Sequence, residues 1–280
     1  MNTLPIEKKT LILAHLVEGI SVRSIERLTG VHRDTILRVL VEAGAKAQDI
    51  LDTELVNLES NFIQVDEIWT YVGKKQKQLT REELHAEILG DQYIFVAIDS
   101  ETKLVSSFTI GKRNFDVAVS FLKDLRDRIR TRFQLSSDAF KPYFNAVDMV
   151  FGEDVDYGQV HKTYAEGEQK GAHRYSPACI VSVFAKSLIG NPIQKRISTS
   201  HIERQNLTMR MQMRRFTRLT NAFSKKLENL KAAVALHFYH YNFMRIHSSL
   251  RVTPAMEAKV TKRLWGWEDL FNYGQIKQAA

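Results

Sequence analysis

The stretch Phe62-Ile63-Gln64-Val65-Asp66-Glu67-Ile68-Trp69-Thr70-Tyr71-Val72 decides the fold class. β-Branched and aromatic residues dominate it, a composition that suits a pleated surface, so it predicts a strand. The carboxylate pair Asp66-Glu67 interrupts it. Charged groups stay out of apolar surroundings unless they are paired or bound to a metal. The plain alternative is an edge strand whose acids face water. Period-2 alternation sends the two carboxylates to opposite faces, so only one can point into a given site.

Downstream, Tyr93 to Ile98 is a near-continuous apolar run, expected to be central in a sheet. Asp99 to Lys103 reads as a turn in which Asp99 is structural, and Leu104 to Ile110 as the returning strand. Asn114 caps a helix expected over Phe115–Thr131, with Phe115, Val119, Leu122 and Ile129 on one face. Phe133–Asp138 is a short strand ending in an acid, Lys141–Phe151 a helix, and Val155–His161 a fifth strand. Three antiparallel strands followed by strands alternating with helices predict an α/β fold, a mixed five-stranded sheet carrying helices. Thr163 to Pro192, with glycines and prolines around the apolar run Ala178–Phe184, reads as an excursion from that sheet.

Upstream, Ile6, Leu11, Leu13, Ala14 and Val17 fall at helical spacing over Ile6–Val17. Ser21 is placed to cap a second helix, Gly30-Val31 marks a tight turn, and a third helix begins at Arg33 and is expected to end near Gly44. This is a helix-turn-helix pattern, with Ile25, Leu28, Val31, Ile36 and Val39 as its inner residues. Its second helix would present His32, Arg33, Asp34 and Arg38 to base edges. Lys46 to Ser60, with Ile50, Leu51, Leu55 and Leu58, reads as a connecting helix. Gly73 to Gln78 is a basic loop in which Lys74 and Lys75 are solvated or meet phosphate.

Forty Lys and Arg against 32 Asp and Glu give a net charge of +8, which favours a polyanionic partner, nucleic acid first. The whole surplus sits between Lys195 and Lys231, ten basic residues against Glu203 and Glu228. Arg204, Asn206, Arg210, Arg214 and Arg215 of that segment are the candidates for holding a DNA strand. Cys179 is the only cysteine. It excludes an intrachain disulfide or a cysteine zinc ribbon, and its apolar neighbours predict a buried small hydrophobe. With no apolar signal core and no stretch of about 20 apolar residues, a cytoplasmic, nucleoid-associated protein is expected.

Asp66 in the first strand, Asp138 ending the fourth and Glu203 opening a helix could converge where strand ends meet helix starts. Clustered carboxylates repel unless cations are present. Oxygen ligands of this kind suit Mg²⁺ or Mn²⁺, and two such ions can activate an attacking hydroxyl and stabilise the leaving oxygen of a phosphodiester.

Val65-Asp66-Glu67-Ile68-Trp69-Thr70-Tyr71-Val72-Gly73 resembles the first acidic motif of bacterial insertion-sequence transposases of the IS-one family. Thr199-Ser200-His201-Ile202-Glu203-Arg204-Gln205-Asn206-Leu207 resembles that family's final motif, its acid and the following Arg-x-Asn matching in order. The segment Tyr241 to Leu250, with Thr253-Pro254-Ala255 after it, is similar to the ending of many such enzymes. The resemblance spans about Phe62 to Ala258. It implies a ribonuclease H-like fold and a DDE triad of Asp66, Asp138 and Glu203 binding Mg²⁺ or Mn²⁺, with two ions expected. It also implies cleavage at element ends and strand transfer into target DNA by a homodimer or larger assembly on double-stranded DNA. The chain departs from the family in lacking the cysteine zinc ribbon and in the sequence Ser136-Ser137-Asp138-Ala139-Phe140, where relatives more often carry a second acid or Gly; Asp148 competes for the second position. His201 is read as structural or as a general DNA contact, and His247 as packing at a helix end.

The implied organisation is a helix-turn-helix domain over 1–46, a linker helix over 47–60, a ribonuclease H-like catalytic domain over 61–250 with an excursion at 163–193, and a C-terminal tail over 251–280. Two other functions fit the same residues. One is a domesticated DNA-binding regulator without catalysis, the other a ribonuclease H-like nuclease or resolvase without strand transfer.

Overall fold

Capping and apolar spacing place the first three helices. In the computed structural model, which describes residues 4–165, 179–217 and 220–278, these are α1 Ile6–Val17, α2 Val22–Thr29 and α3 Arg33–Glu54. Ser21 Oγ accepts from Ser24 N at 3.1 Å to start α2, and Gly30 ends it at φ 70°, a left-handed conformation that glycine adopts without steric cost. His32 starts α3, its Nδ1 accepting from Asp34 N at 3.3 Å. On α1 the buried face carries Ile12, Leu13 and Val17, whereas Ile6 and Leu11 are exposed, one residue round from the expected stripe. Leu28, expected inside, is 64 % exposed; Ile25, Val31, Ile36 and Val39 are buried.

The third helix does not stop at Gly44. It runs unbroken to Glu54, joining the expected recognition helix to the expected linker. Gly44 is glycine for a tertiary reason: a Cβ there would lie 2.5 Å from Ala232 Cα, where another helix crosses.

The sheet begins with β1 Phe62–Val72, bounded as its composition predicts. A basic turn and the short α4 Arg81–His85 lead to β2 Gly90–Asp99 and β3 Val105–Gly111, completing an antiparallel meander. Asp99 is structural: its Oδ1 accepts from Glu101 N and Thr102 N at 2.7 and 2.9 Å, and its Oδ2 from Ser60 Oγ at 2.6 Å. α5 Phe115–Arg128, β4 Gln134–Asp138, α6 Lys141–Phe151 and β5 Asp156–Tyr164 follow. On α5, Ala118, Phe121 and Leu125 join Val119 and Leu122 in the core, and Phe115 is exposed.

Among the described residues the sheet has six strands, not five. Part of the expected excursion is β6 Ile180–Ile189, antiparallel to β5, in the order β3-β2-β1-β4-β5-β6. The β-branched run that looked like an insertion is an edge strand, and β5 lengthens to meet it. Residues 166–178 of the excursion lie outside the described residues. Cys179, expected buried, is exposed at the start of this edge.

Alternation along β1 sorts the sheet into two cores. Ile63 and Val65 face α5 and α6, with Phe121, Leu122 and Tyr143. Ile68 and Val72 face the other way, into a cluster continuous with α1–α3. α7 Ser200–Gln212 and α8 Leu227–Tyr239 complete that side. α8 continues into a wide π-type turn, His240–Met244. The C-terminal segment is docked through α9 Pro254–Glu257 and α10 Trp267–Gln278: Trp265 stacks on Phe243 and Lys46 Nζ donates to Phe271 O at 3.1 Å. Among the described residues no helix is long and apolar enough to cross a membrane.

Candidate active site

β1 is paired with β2 along nearly its whole length but with β4 only over Phe62–Gln64. Past Gln64 its second edge has no partner until Val72 bridges to Ser224, which leaves a notch at the end of β4. Gln64 lies opposite Ser136, so two residues further along the parallel pair Asp138 comes level with Asp66.

α7 is fixed to this notch by β1 itself. Gln64 Oε1 accepts from the backbone N–H of His201 and Ile202 at 2.8 and 3.2 Å, satisfying donors that a helix start leaves unpaired. One turn on, Asn206 Nδ2 donates to Asp66 Oδ2 at 2.8 Å. Glu203 accordingly lines the same cleft as Asp66 and Asp138, together with Arg113, Lys162 and Thr199, around a volume of about 890 Å³.

The acids are not equally close. Ligand oxygens of Asp66, Glu67 and Asp138 lie within 4.8 Å of one another. Although Glu67 leaves β1 on the opposite face, the open strand edge lets its carboxylate reach this group. Glu203 stands outside that tight group, with Lys162 Nζ donating to its Oε1 and Thr199 Oγ1 donating to the same oxygen at 2.5 Å. Glu67 is held by Arg113 Nε at 2.7 Å and by Tyr143 Oη at 3.3 Å. The Arg113 guanidinium also reaches within 4.0 Å of Asp138 Oδ2 and lies over the Phe140 ring.

Burial, reinforced by the charges of Glu67, Asp138 and Glu203, pushes the Asp66 carboxyl up to about 8, against a backbone hydrogen bond from Glu67 N. Glu67 is also raised, by burial and then by Asp138, with Arg113 opposing. Burial works against the charge of Arg113, but Glu67 and Asp138 more than offset it and raise that guanidinium. Three carboxylates this close are a hard-oxygen donor set suited to a divalent cation. A further observation fits such a cation: Asn206 Oδ1 is buried with no hydrogen-bond partner. The described residues thus contain an acidic group able to hold a metal.

The other expected contact residues are dispersed. Arg33 lies at the α2–α3 turn, 3.6 Å from Glu26, and Arg38 donates to Thr35 Oγ1. His32 and Asp34 are exposed beside them. Lys74 pairs with Glu83 at 2.7 Å, and Lys75 is exposed. Arg204 and Arg214 are exposed, Arg210 and Arg215 partly buried. Asn206, expected to meet DNA, instead turns inward onto Asp66. Sequence reasoning missed Arg113, Lys162, Tyr143 and Gln64. For Gln64 a signal existed, since it precedes Asp66 by two residues and so shares its face.

No family model matches the chain, and no curated protein matches it. Among solved structures it is similar to a piggyBac transposase in a synaptic complex with hairpin DNA. That match has a TM-score of 0.39 and 11 % identity, covering 100 % of this chain and 75 % of that one.

Proposed function

We propose that this chain is a DNA transposase of the DDE class that binds element ends and performs metal-dependent strand cleavage and transfer. The observation that carries the reading is the meeting of Asp66, Asp138 and Glu203 in one cleft at the open edge of the central strand. The order of β1 to β5, three antiparallel strands and then two parallel additions, fits the ribonuclease H-like fold implied by the sequence motifs.

Asp66 and Asp138 would hold Mg²⁺ or Mn²⁺ with Glu203, and Glu67 is close enough to join them. Two bound ions would supply an activated hydroxyl nucleophile and charge neutralisation at the leaving oxygen. Asn206 orients the Asp66 carboxylate, and Gln64 fixes the start of α7 so that Glu203 faces the cleft. Lys162 and Arg113 neutralise the acids until cations replace them. The helix-turn-helix, with His32, Arg33, Asp34 and Arg38, and the basic residues Lys74, Lys75, Arg204, Arg210, Arg214 and Arg215 would hold double-stranded DNA. Joining two ends calls for a dimer or larger assembly.

One observation favours a second reading, a DNA-binding regulator: Glu203 is ion-paired with Lys162 and stands outside the tight acidic group. Incubation with labelled end DNA and Mn²⁺ or Mg²⁺, with Glu203→Gln alongside, separates the two. Cleavage and joining lost in the variant supports the transposase. Equal activity in the variant sinks the triad, binding without cleavage under either metal favours the regulator, and cleavage without joining indicates a nuclease.

A further inference from the structure

A second cavity, about 950 Å³ in volume, lies between the helix-turn-helix and α8. Its walls come from three parts of the chain. Leu16 and Val17 belong to α1, Arg33 and Asp34 to the first turn of α3, and Met213, Arg214, Arg215 and the residues from Thr220 to Lys225 to the segment leading into α8. The floor is apolar, with Leu37, Leu40, Ala233 and Leu236.

The charges on this wall are lopsided. Arg23, Arg33, Arg214, Arg215 and Lys225 line it against the single carboxylate of Asp34. Arg33 is already engaged by Glu26. Arg215 is partly buried, and among the described residues no carboxylate pairs with it; it donates to Ser224 Oγ at 3.4 Å. Burial pulls its guanidinium down to about 10, the expected sign for a cation removed from water without a counter-charge. His237 also lines the cavity. It is 1 % exposed, and neither ring nitrogen has a hydrogen-bond partner. Burial pulls the His237 imidazole down to about 3 and so keeps it neutral, which leaves it one N–H to donate. That N–H and the uncompensated guanidinium face one volume and each lack an acceptor, which an anion supplies.

We propose that this cavity is an anion site that takes a backbone phosphate of DNA lying against the first turn of α3. The choice of DNA rests on the DNA-binding reading above and on position: the cavity wall includes Arg33 and Asp34, at the end of α3 that a helix-turn-helix presents to the duplex. Arg215 and Arg214 grip the phosphate, and His237 contributes a ring N–H from below. The site thereby couples the helix-turn-helix to the strand-holding segment after α7.

The test compares full-length native protein, Arg215→Gln, Arg215→Lys and the exposed Arg214→Gln, titrating a short random-sequence duplex over a range of salt. Loss of one phosphate contact lowers the slope of log affinity against log salt by about 1 and weakens binding several-fold at low salt. That result in both Gln variants, with recovery in Arg215→Lys, supports the site. A second readout separates a ligand site from a structural arginine. Without anion, Arg215→Gln melts at a higher temperature than native, because an uncompensated charge is gone, and inorganic phosphate raises the native melting point but not the variant's. A lower melting point of Arg215→Gln in the absence of anion overturns the anion site; if that variant does not fold, Arg214→Gln decides by the slope. Unchanged slopes in both Gln variants overturn the proposal. If phosphate stabilises only the native chain while the slopes stay equal, the cavity takes free phosphate and the DNA assignment is overturned. Native protein that binds no duplex overturns the DNA-binding reading itself, whereas a native chain that binds and is matched by its variants removes only this inference.

Discussion

Asn206 donates its Nδ2 hydrogen to Asp66 Oδ2 at 2.8 Å, while its own Oδ1 is buried without a partner. The amide ties α7 to the central strand and fixes the Asp66 carboxylate together with Glu67 N, which donates to Oδ1 at 2.8 Å, so each Asp66 oxygen already accepts one hydrogen bond. A buried carbonyl left unpaired costs about 1–3 kcal/mol, so the arrangement is poorly satisfied unless a cation or water reaches the site. Ligand-orienting partners of this kind typically change metal affinity by about 10–100-fold. Asn206→Ala is therefore expected to keep the fold and lose about that factor in Mn²⁺ affinity. Titrating Mn²⁺ against the melting temperature measures it, and unchanged affinity would remove Asn206 from the site.

The raised Asp66 carboxyl predicts a pH dependence with a definite sign. The unfolded group titrates near 3.8 and the folded one near 8, so between these values the folded state binds the extra proton. Stability from this group is then full below about 4 and is lost as pH rises through 8. Metal-free protein should become less stable from pH 5 to 8.5, and Asp66→Asn should flatten the trend. At pH 8.5 the variant is expected to be more stable by at least about 1 kcal/mol, roughly 2–4 °C at this chain length. Thermal melts in the presence of a chelator decide; a native curve that rises over this range contradicts the assignment.

Arg113 is the counter-charge of the acids, at 2.7 Å from Glu67 and 4.0 Å from Asp138. Arg113 is 40 % exposed but Glu67 only 1 %, so removing the arginine leaves a buried carboxylate behind without its counter-charge. Arg113→Gln should destabilise metal-free protein by roughly 1–3 kcal/mol, and saturating Mn²⁺ should restore most of that loss. Melting with and without Mn²⁺ reads both effects. A loss that Mn²⁺ does not reduce would make Arg113 a packing residue only.

What was legible in the sequence was what local chemistry decides. The bounds of β1 and α6 and the capping roles of Ser21 and Asn114 follow from composition and hydrogen bonding within a few residues. Asp66, Asp138 and Glu203 were legible as candidates because acids beside apolar neighbours demand a reason. Arg113 and Lys162 were not, since a basic residue near a strand end looks solvated until the sheet brings it to an acid. Gly44 was misread for the same reason. A glycine late in a helix resembles a terminus, and only Ala232, far along the chain, shows that it is a crossing point. The exposed Ile180, Val181 and Phe184 defeated burial arguments because an edge strand can leave apolar side chains outside.

The Gly44 crossing gives a packing prediction. With Ala232 Cα only 2.5 Å from an added Cβ, neither backbone can yield without moving a helix. Overpacking of this kind costs about 1–3 kcal/mol, more than the roughly 1 kcal/mol that Ala normally gains over Gly inside a helix. Gly44→Ala should therefore lower stability despite its better helix propensity. Denaturant unfolding measures the change, and a stabilised variant would show that α3 and α8 separate easily.

Asn242 makes the last case, because its two bonds replace a missing strand. Its Oδ1 accepts from Val105 N at 3.0 Å and its Nδ2 donates to Val105 O at 2.9 Å, both fully buried at the edge of β3. Asn242→Leu leaves a buried N–H and a buried C=O unpaired, each worth roughly 1–3 kcal/mol, so a loss of roughly 2–6 kcal/mol is expected. Asn242→Asp keeps the shape, yet an ionised carboxylate can accept from the N–H and cannot donate to the carbonyl. Burial raises the pKa of the introduced carboxyl, and in its protonated form it can donate again. The stability gap between native and Asn242→Asp should thus narrow as pH falls and widen as pH rises, while the gap to Asn242→Leu stays constant. Unfolding curves across pH distinguish the two, and a pH-independent gap for both would mean that the side-chain bonds to Val105 do not hold this edge.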